Sequence, residues 1–189
     1  DIISRVRAMA GHRVPEPAPL AINGVIEEAM QFLAHELQGQ NVKLTLTFAR
    51  GLPLVLADRT QLQQVIVNLA INAVQSMPQG GTVRIRAANA RLAAGAVGRL
   101  PVGDYVEISV ADTGTGIAPE HLTKIFDPYF TTKQQGSGLG LATVYSIVRT
   151  HQGHIEVESK LGEGAVFRLW LPAVRQPEPV APVESAPLA

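Results

Sequence analysis

Three stretches of the sequence place residues where they could do chemistry. In "NLAINA", Asn68 and Asn72 stand at i and i+4 and so share one helix face. Two amides among Val65, Ile66, Val67, Leu69 and Ile71 are costly to bury unless partnered. They read either as a structural polar pair or as a metal site, in which an amide oxygen ligates Mg2+, a hard cation often shared with substrate phosphates. In "DTGTGI", Asp112 ends an apolar run and is followed by Gly114, Gly116 and Ile117. A carboxylate beside glycines that permit close approach can accept from the exocyclic amine of adenine, and it repels the oxygen that guanine offers there. A solvated turn in which Asp112 caps its own backbone accounts for the same residues.

The third stretch, "IFDPYFTTKQQGSGLGLATV", carries Phe126 and Phe130, then Lys133, then Gly136, Gly138 and Gly140 with Ser137 and Leu139 between them. Glycines that open a helix gather unhindered backbone N–H groups at its positive end, where a phosphate is favoured. A plain connector has the same composition. The dinucleotide fingerprint fails at Leu141, and the Walker pattern lacks its terminal Gly-Lys-Ser/Thr.

The elements that must position these residues follow from periodicity. Residues 20–37 read as an amphipathic helix and 42–48 as an alternating strand. Asp58 or Thr60 can cap a second helix, which ends at Met77 before Pro78 and the Gly80-Gly81 pair. Strands are expected at 82–88 and 105–112, a long turn-rich segment at 113–140 with a short helix after Pro119, and a helix at 139–151. Strands at 153–159 and 165–171 close the pattern, joined by a glycine turn at 161–164. Helices grouped apart from mostly antiparallel strands predict a two-layer α/β sandwich. Residues 1–10 look like the end of a preceding helix, and 11–19 like a Pro-rich linker. Residues 173–189 suit a second linker or a disordered tail.

Composition narrows the function. With 189 residues, 46% of them hydrophobic, the chain supports one domain with flanking pieces. Sixteen basic and 16 acidic residues cancel, so no global field favours nucleic acid or anionic membrane. The absence of cysteine removes disulfides, thiolate nucleophiles and Cys-ligated zinc, and fits a cytoplasmic protein. No apolar run is long enough to span a bilayer.

Taken in order, the asparagine helix, the strand-end DxGxGI, the FxxxF lid and the GxGLGL helix start resemble the four nucleotide-binding boxes of the sensor histidine kinase catalytic domain. The resemblance covers about residues 20–172, including "HQGHIEVESKLGEGAVFRLWLP", which is similar to that family's closing hairpin. It implies the Bergerat fold, shared with gyrase, mismatch-repair and heat-shock chaperone ATPases, and a mixed sheet backed by helices. By the same resemblance Asn72 matches the Mg2+-binding asparagine, and Asn68 lies where hydrolytic relatives carry a water-activating glutamate. An amide cannot serve as that base at neutral pH. Asp112 matches the adenine-binding aspartate, Phe126 and Phe130 the aromatic pair that anchors the lid, and Gly136, Gly138 and Gly140 the phosphate-side glycines. Lys133 lies in the lid, where it could neutralise a phosphate.

The implied activity is transfer of the ATP γ-phosphoryl group to a histidine on a dimerisation domain, with a response regulator or receiver domain as the later recipient. "AHELQ" resembles the start of the phosphoacceptor signature at His35, but Gln38, Gly39 and Gln40 depart from it, so the acceptor is expected outside this chain. His121, His151 and His154 read as surface or local hydrogen-bonding residues, and His12 falls in the linker. The parent protein is then expected to dimerise and this piece to be monomeric. The alternatives are a non-catalytic nucleotide-sensing module and another Bergerat-fold ATPase or serine kinase.

Overall fold

The structure, a computed structural model, describes residues 14–37, 41–133 and 136–174. The helix end expected at 1–10, His12 and the tail from 175 onward lie outside the described residues. The elements run β1 (Ala18–Leu20), α1 (Ile22–Leu37), β2 (Val42–Phe48), β3 (Val55–Ala57), α2 (Arg59–Gln75), β4 (Gly81–Leu92), β5 (Gly103–Asp112), α3 (Pro119–Leu122), α4 (Gly140–Thr150), β6 (His154–Lys160) and β7 (Gly164–Pro172).

Five strands form one sheet in the order β2-β4-β5-β7-β6. Only β2 and β4 pair in parallel, and α2 lies in the long crossover that a parallel pair requires. The remaining pairs are antiparallel. Helix α2 packs between α1 and α4 and against β4 and β5, which makes the two layers expected from the periodicities. The inner sheet face supplies Val83, Ile85, Val106, Ile108, Val110, Phe167 and Leu169 to the main core, and α2 supplies Leu62, Val65, Ile66 and Leu69. A smaller cluster of Leu92, Val97, Leu100, Tyr105 and Trp170 stands apart from that core, and the Tyr105 hydroxyl donates to the Pro101 carbonyl at 2.9 Å.

Two local expectations need correction. Leu20 does not begin a helix, and the expected linker does not extend to residue 19: Ala18–Leu20 pairs antiparallel with Val55–Ala57, a strand that periodicity missed because it is three residues long. Pro19 is tolerated because a two-stranded ribbon has only edge strands. At the other end, Ala173 bridges to Val55 and the Val174 amide donates to the Leu54 carbonyl at 2.7 Å. The hairpin β4–β5 is also longer than the strands read from sequence.

Candidate functional site

Strand alternation places Asp112 with Val106, Ile108 and Val110 on the face turned to the helices, where it is 9% exposed. Its Oδ1 accepts from the Gly114 amide at 2.8 Å and from the Ser76 hydroxyl at 3.0 Å. Among the described residues Oδ2 has no hydrogen-bond partner, so one carboxylate oxygen is fixed and the other is left to accept from a ligand. Gly114 and Gly116 are required by the protein's own packing: a Cβ would stand 1.9 Å from the Ser76 hydroxyl at the first and 2.1 Å from the Lys160 carbonyl at the second.

Helix α2 begins where Asp58, in extended conformation, accepts from the Gln61 amide at 2.9 Å. Its polar side chains Gln61, Gln64, Asn68, Asn72 and Gln75 recur at spacings of three and four and line one cavity of about 1320 Å³. Asn68 donates to the Gly140 carbonyl at 3.4 Å, which joins the helix to the first residue of α4. Asp112, Gly116, Ile117, Phe130, Lys133, Gly136, Ser137, Gly138, Leu139 and Gly140 line the same cavity. Gly114 and Phe126 do not: Gly114 is buried beneath Asp112, and Phe126 packs on Tyr145 with ring centroids 5.5 Å apart. Phe130 meets His121 edge-on at 5.5 Å.

The glycine segment has two tight points: a Cβ at Gly136 would lie 2.4 Å from the Thr131 hydroxyl, and the second is set against backbone. Gly138 sits at φ +66°, and a Cβ there would lie 2.4 Å from the Tyr129 backbone, while the Tyr129 amide donates to the Gly138 carbonyl at 2.9 Å. Tyr129 itself has φ +67°, a conformation few non-glycine residues adopt.

Lys133 reaches across the cavity mouth to α2. Its ammonium donates to Gln75 Oε1 at 2.9 Å and to Asn72 Oδ1 at 3.4 Å. Burial lowers its pKa below the usual lysine value, and the charge of Asp112 opposes that shift. Asn72 Oδ1 thus already faces a cation. Among the described residues no group of three His, Cys, Asp or Glu could hold a metal ion. A single amide oxygen suits Mg2+ if phosphate oxygens and waters supply the remaining positions, so the residues present fit that ion.

Ser76, Gln75 and Gln64 were missed by sequence reasoning. The stripe through Gln64 and Gln75 was readable as an extension of the Asn68/Asn72 spacing, whereas the Ser76–Asp112 contact depends on tertiary packing. The backbone of His35 lies in the last turn of α1, and the chain then passes to β2.

The family model described as histidine kinase-, DNA gyrase B- and HSP90-like ATPase matches residues 57–175. Sensor kinase CckA of Brucella abortus is 38% identical over 177 residues, 91% of this chain and 19% of CckA. The catalytic domain of histidine kinase ThkA superposes with a TM-score of 0.69 at 30% identity, covering 84% of this chain and 96% of ThkA's domain. Histidine kinase ThkA has also been solved in complex with response regulator protein TrrA. Full-length ShkA in complex with AMPPNP gives 0.71 at 27% identity, over 92% of this chain and 35% of ShkA. The chain therefore spans about a fifth of CckA but nearly all of a solved catalytic domain. It belongs to the histidine kinase-, DNA gyrase B- and HSP90-like ATPase family, as the ATP-binding catalytic domain that sensor histidine kinases carry.

Proposed function

We infer that this domain binds Mg·ATP in the α2/α4 cavity and transfers the γ-phosphoryl group to a histidine on a helical dimerisation domain of the same protein. The observation that carries this reading is the half-satisfied carboxylate of Asp112, whose Oδ2 is open in the cavity that Asn72 and the glycine start of α4 also line. Oδ2 accepts from the adenine amine. The glycine segment receives the phosphates at the start of α4, and Lys133 moves from Gln75 and Asn72 to the phosphate charge. Asn72 would hold Mg2+, whose positive charge would offset that of the phosphates.

In the transfer an imidazole nitrogen forms a bond to Pγ, the bond from Pγ to the bridging oxygen breaks, ADP departs with that electron pair, and the imidazole gives up its proton to solvent. Asn68 occupies the position from which a carboxylate would activate water, and its amide faces Gly140 instead. That arrangement withholds a general base from water and reserves the phosphoryl group for the histidine. A response regulator then takes the group, as fits the ThkA relative solved with TrrA. Among the described residues no helix is long and apolar enough to cross a membrane. With its cysteine-free composition, we place the domain in the cytoplasm, in a protein that dimerises through its helical domain.

The test titrates the chain calorimetrically with ADP, ATP and GTP, with and without Mg2+, and then adds a histidine-bearing dimerisation domain with labelled ATP. Adenine-selective binding and acid-labile label on the added domain alone are expected. Stable label on His35, or steady phosphate release from the domain by itself, would overturn the reading.

A further inference from the structure

Helices α2 and α4 run antiparallel, and α4 is tied to α2 at both of its own ends. At the phosphate end, Asn68 donates to the Gly140 carbonyl at 3.4 Å. At the far end, the backbone amide of Asp58, the N-cap of α2, donates to His151 Nε2 at 3.0 Å. His151 caps α4 and is 7% exposed, and its Nδ1 lies 2.8 Å from the Ile147 carbonyl. Because that carbonyl can only accept, Nδ1 carries the proton and Nε2 offers the lone pair that Asp58 uses.

The Asp58 carboxylate is used on both oxygens. Oδ1 caps α2 through the Gln61 amide, and Oδ2 accepts from the Glu16 amide at 2.9 Å. The segment that carries Glu16 continues into β1, which pairs with β3, and β3 runs directly into Asp58. Pro15 and Glu16 also wall the cavity that holds Asn72 and Asp112. One residue thus joins the chain leading into the domain, the start of the asparagine-bearing helix and the end of the helix that the glycines open.

We propose that Asp58 is a positioning residue that couples docking of residues 14–20 to nucleotide binding, so that whatever holds or pulls this segment sets the affinity of the site. This rests on the ATP-binding reading above. With the segment docked, the far ends of α2 and α4 are fixed and their near ends hold Asn68, Asn72 and the glycines at the spacing the phosphates need. Released, Asp58 keeps its cap but loses the Glu16 contact on Oδ2, and the helix pair can splay. By reciprocity, bound nucleotide strengthens docking by the same factor.

The test uses the whole chain, with ADP as probe, and reads two quantities: the Kd by calorimetry, and hydrogen exchange of the Ala18, Leu20 and 55–57 amides with and without ADP. Asp58→Asn retains an N-cap of equal quality but presents an amide group to the Glu16 N–H. Glu16→Pro deletes that N–H and leaves Asp58 in place. In the wild type, ADP is expected to slow exchange at these amides. Each variant is expected to speed their exchange without nucleotide, to weaken ADP binding by about fivefold, and to abolish the ADP-induced protection. A merely structural cap would lower the melting temperature and leave the Kd of the folded protein unchanged. Fast exchange with unchanged affinity therefore overturns the coupling, as does unchanged exchange in both variants. If the wild type fails to bind ADP, the nucleotide reading itself falls, which is a different result from either.

Discussion

The hydroxyl of Ser76 lies 3.0 Å from Oδ1 of Asp112, so the C-cap of α2 and the last residue of β5 meet at one carboxylate oxygen. The Ala73 carbonyl, at 2.7 Å, is the alternative acceptor for the same hydroxyl. With the Gly114 amide on that oxygen as well, the carboxylate plane is set before any ligand arrives.

Ser76→Ala leaves Gly114 as the remaining donor to Oδ1. One net hydrogen bond is worth about 1 kcal/mol, so ADP affinity should fall about fivefold, with adenine still preferred over guanine. Asp112→Asn replaces the acceptor itself and can turn an NH2 toward the adenine amine. Its loss should reach about 100-fold and remove the base preference. Calorimetry with ADP and GDP on both variants checks this, and equal losses in the two would show that Ser76 does more than orient the carboxylate.

Lys133 offers a second prediction because it is held by amides and not by a carboxylate. Its contacts with Gln75 and Asn72 are neutral acceptors that a triphosphate can outcompete, so the ammonium should transfer to phosphate on binding. Lys133→Ala should weaken ATP by about tenfold and leave adenosine binding within about twofold. Comparing the two ligands by calorimetry isolates the phosphate contribution. Equal loss for both would mean that the side chain supports the shape of the pocket and not the charge of the ligand.

What the sequence could reveal follows the range of each interaction. The helix from Asp58 and the alternation ending at Asp112 were legible because capping and period-two burial are local. The roles proposed for Asn72 and the glycines rest on the ordered resemblance and not on spacing alone. The strand Val55–Ala57 was invisible: three residues carry no periodicity, and its partners lie 37 positions before it, at Ala18–Leu20, and far beyond it, at Ala173. His151 read as a surface or local hydrogen-bonding residue; it is buried, and its Nδ1 contact to Ile147 is local. Its Nε2 contact to Asp58 spans 93 positions and belongs to packing. The adenine-side glycines were expected to admit a ring, whereas Gly114 and Gly116 admit Ser76 and Lys160.

The Asp58 carboxyl predicts a pH dependence. Partial burial raises its pKa, but hydrogen bonds from the amides of Glu16, Gln61 and Thr60 outweigh that and leave it below the ordinary value. A depressed carboxyl contributes stability that is fully present above the unfolded value of about 3.9 and is lost as pH falls through the lower folded value. Because Asn leaves the Glu16 amide without its acceptor, denaturant melts of wild type and Asp58→Asn should differ by about 1 kcal/mol at pH 7 and converge on acidification below about pH 4. A gap that stays constant across this range would assign the difference to shape and not to charge.

The turn between β6 and β7 supplies a matched pair of glycines for the last prediction. Gly162 and Gly164 have φ of +82° and +85°, so alanine strains the backbone equally at both. Their surroundings differ: nothing lies within 4 Å of a Cβ at Gly162, while one at Gly164 would stand 2.0 Å from the Asp112 carbonyl. Gly162→Ala should cost about 1 kcal/mol, from conformation alone, and leave ADP affinity unchanged. Gly164→Ala carries the same strain and must also push β7 away from the end of β5, costing roughly 3 kcal/mol and displacing the carboxylate proposed to meet adenine. Thermal melts and ADP titrations of the two variants separate the contributions. Equal destabilisation would show that backbone strain, and not the close approach to Asp112, fixes glycine at position 164.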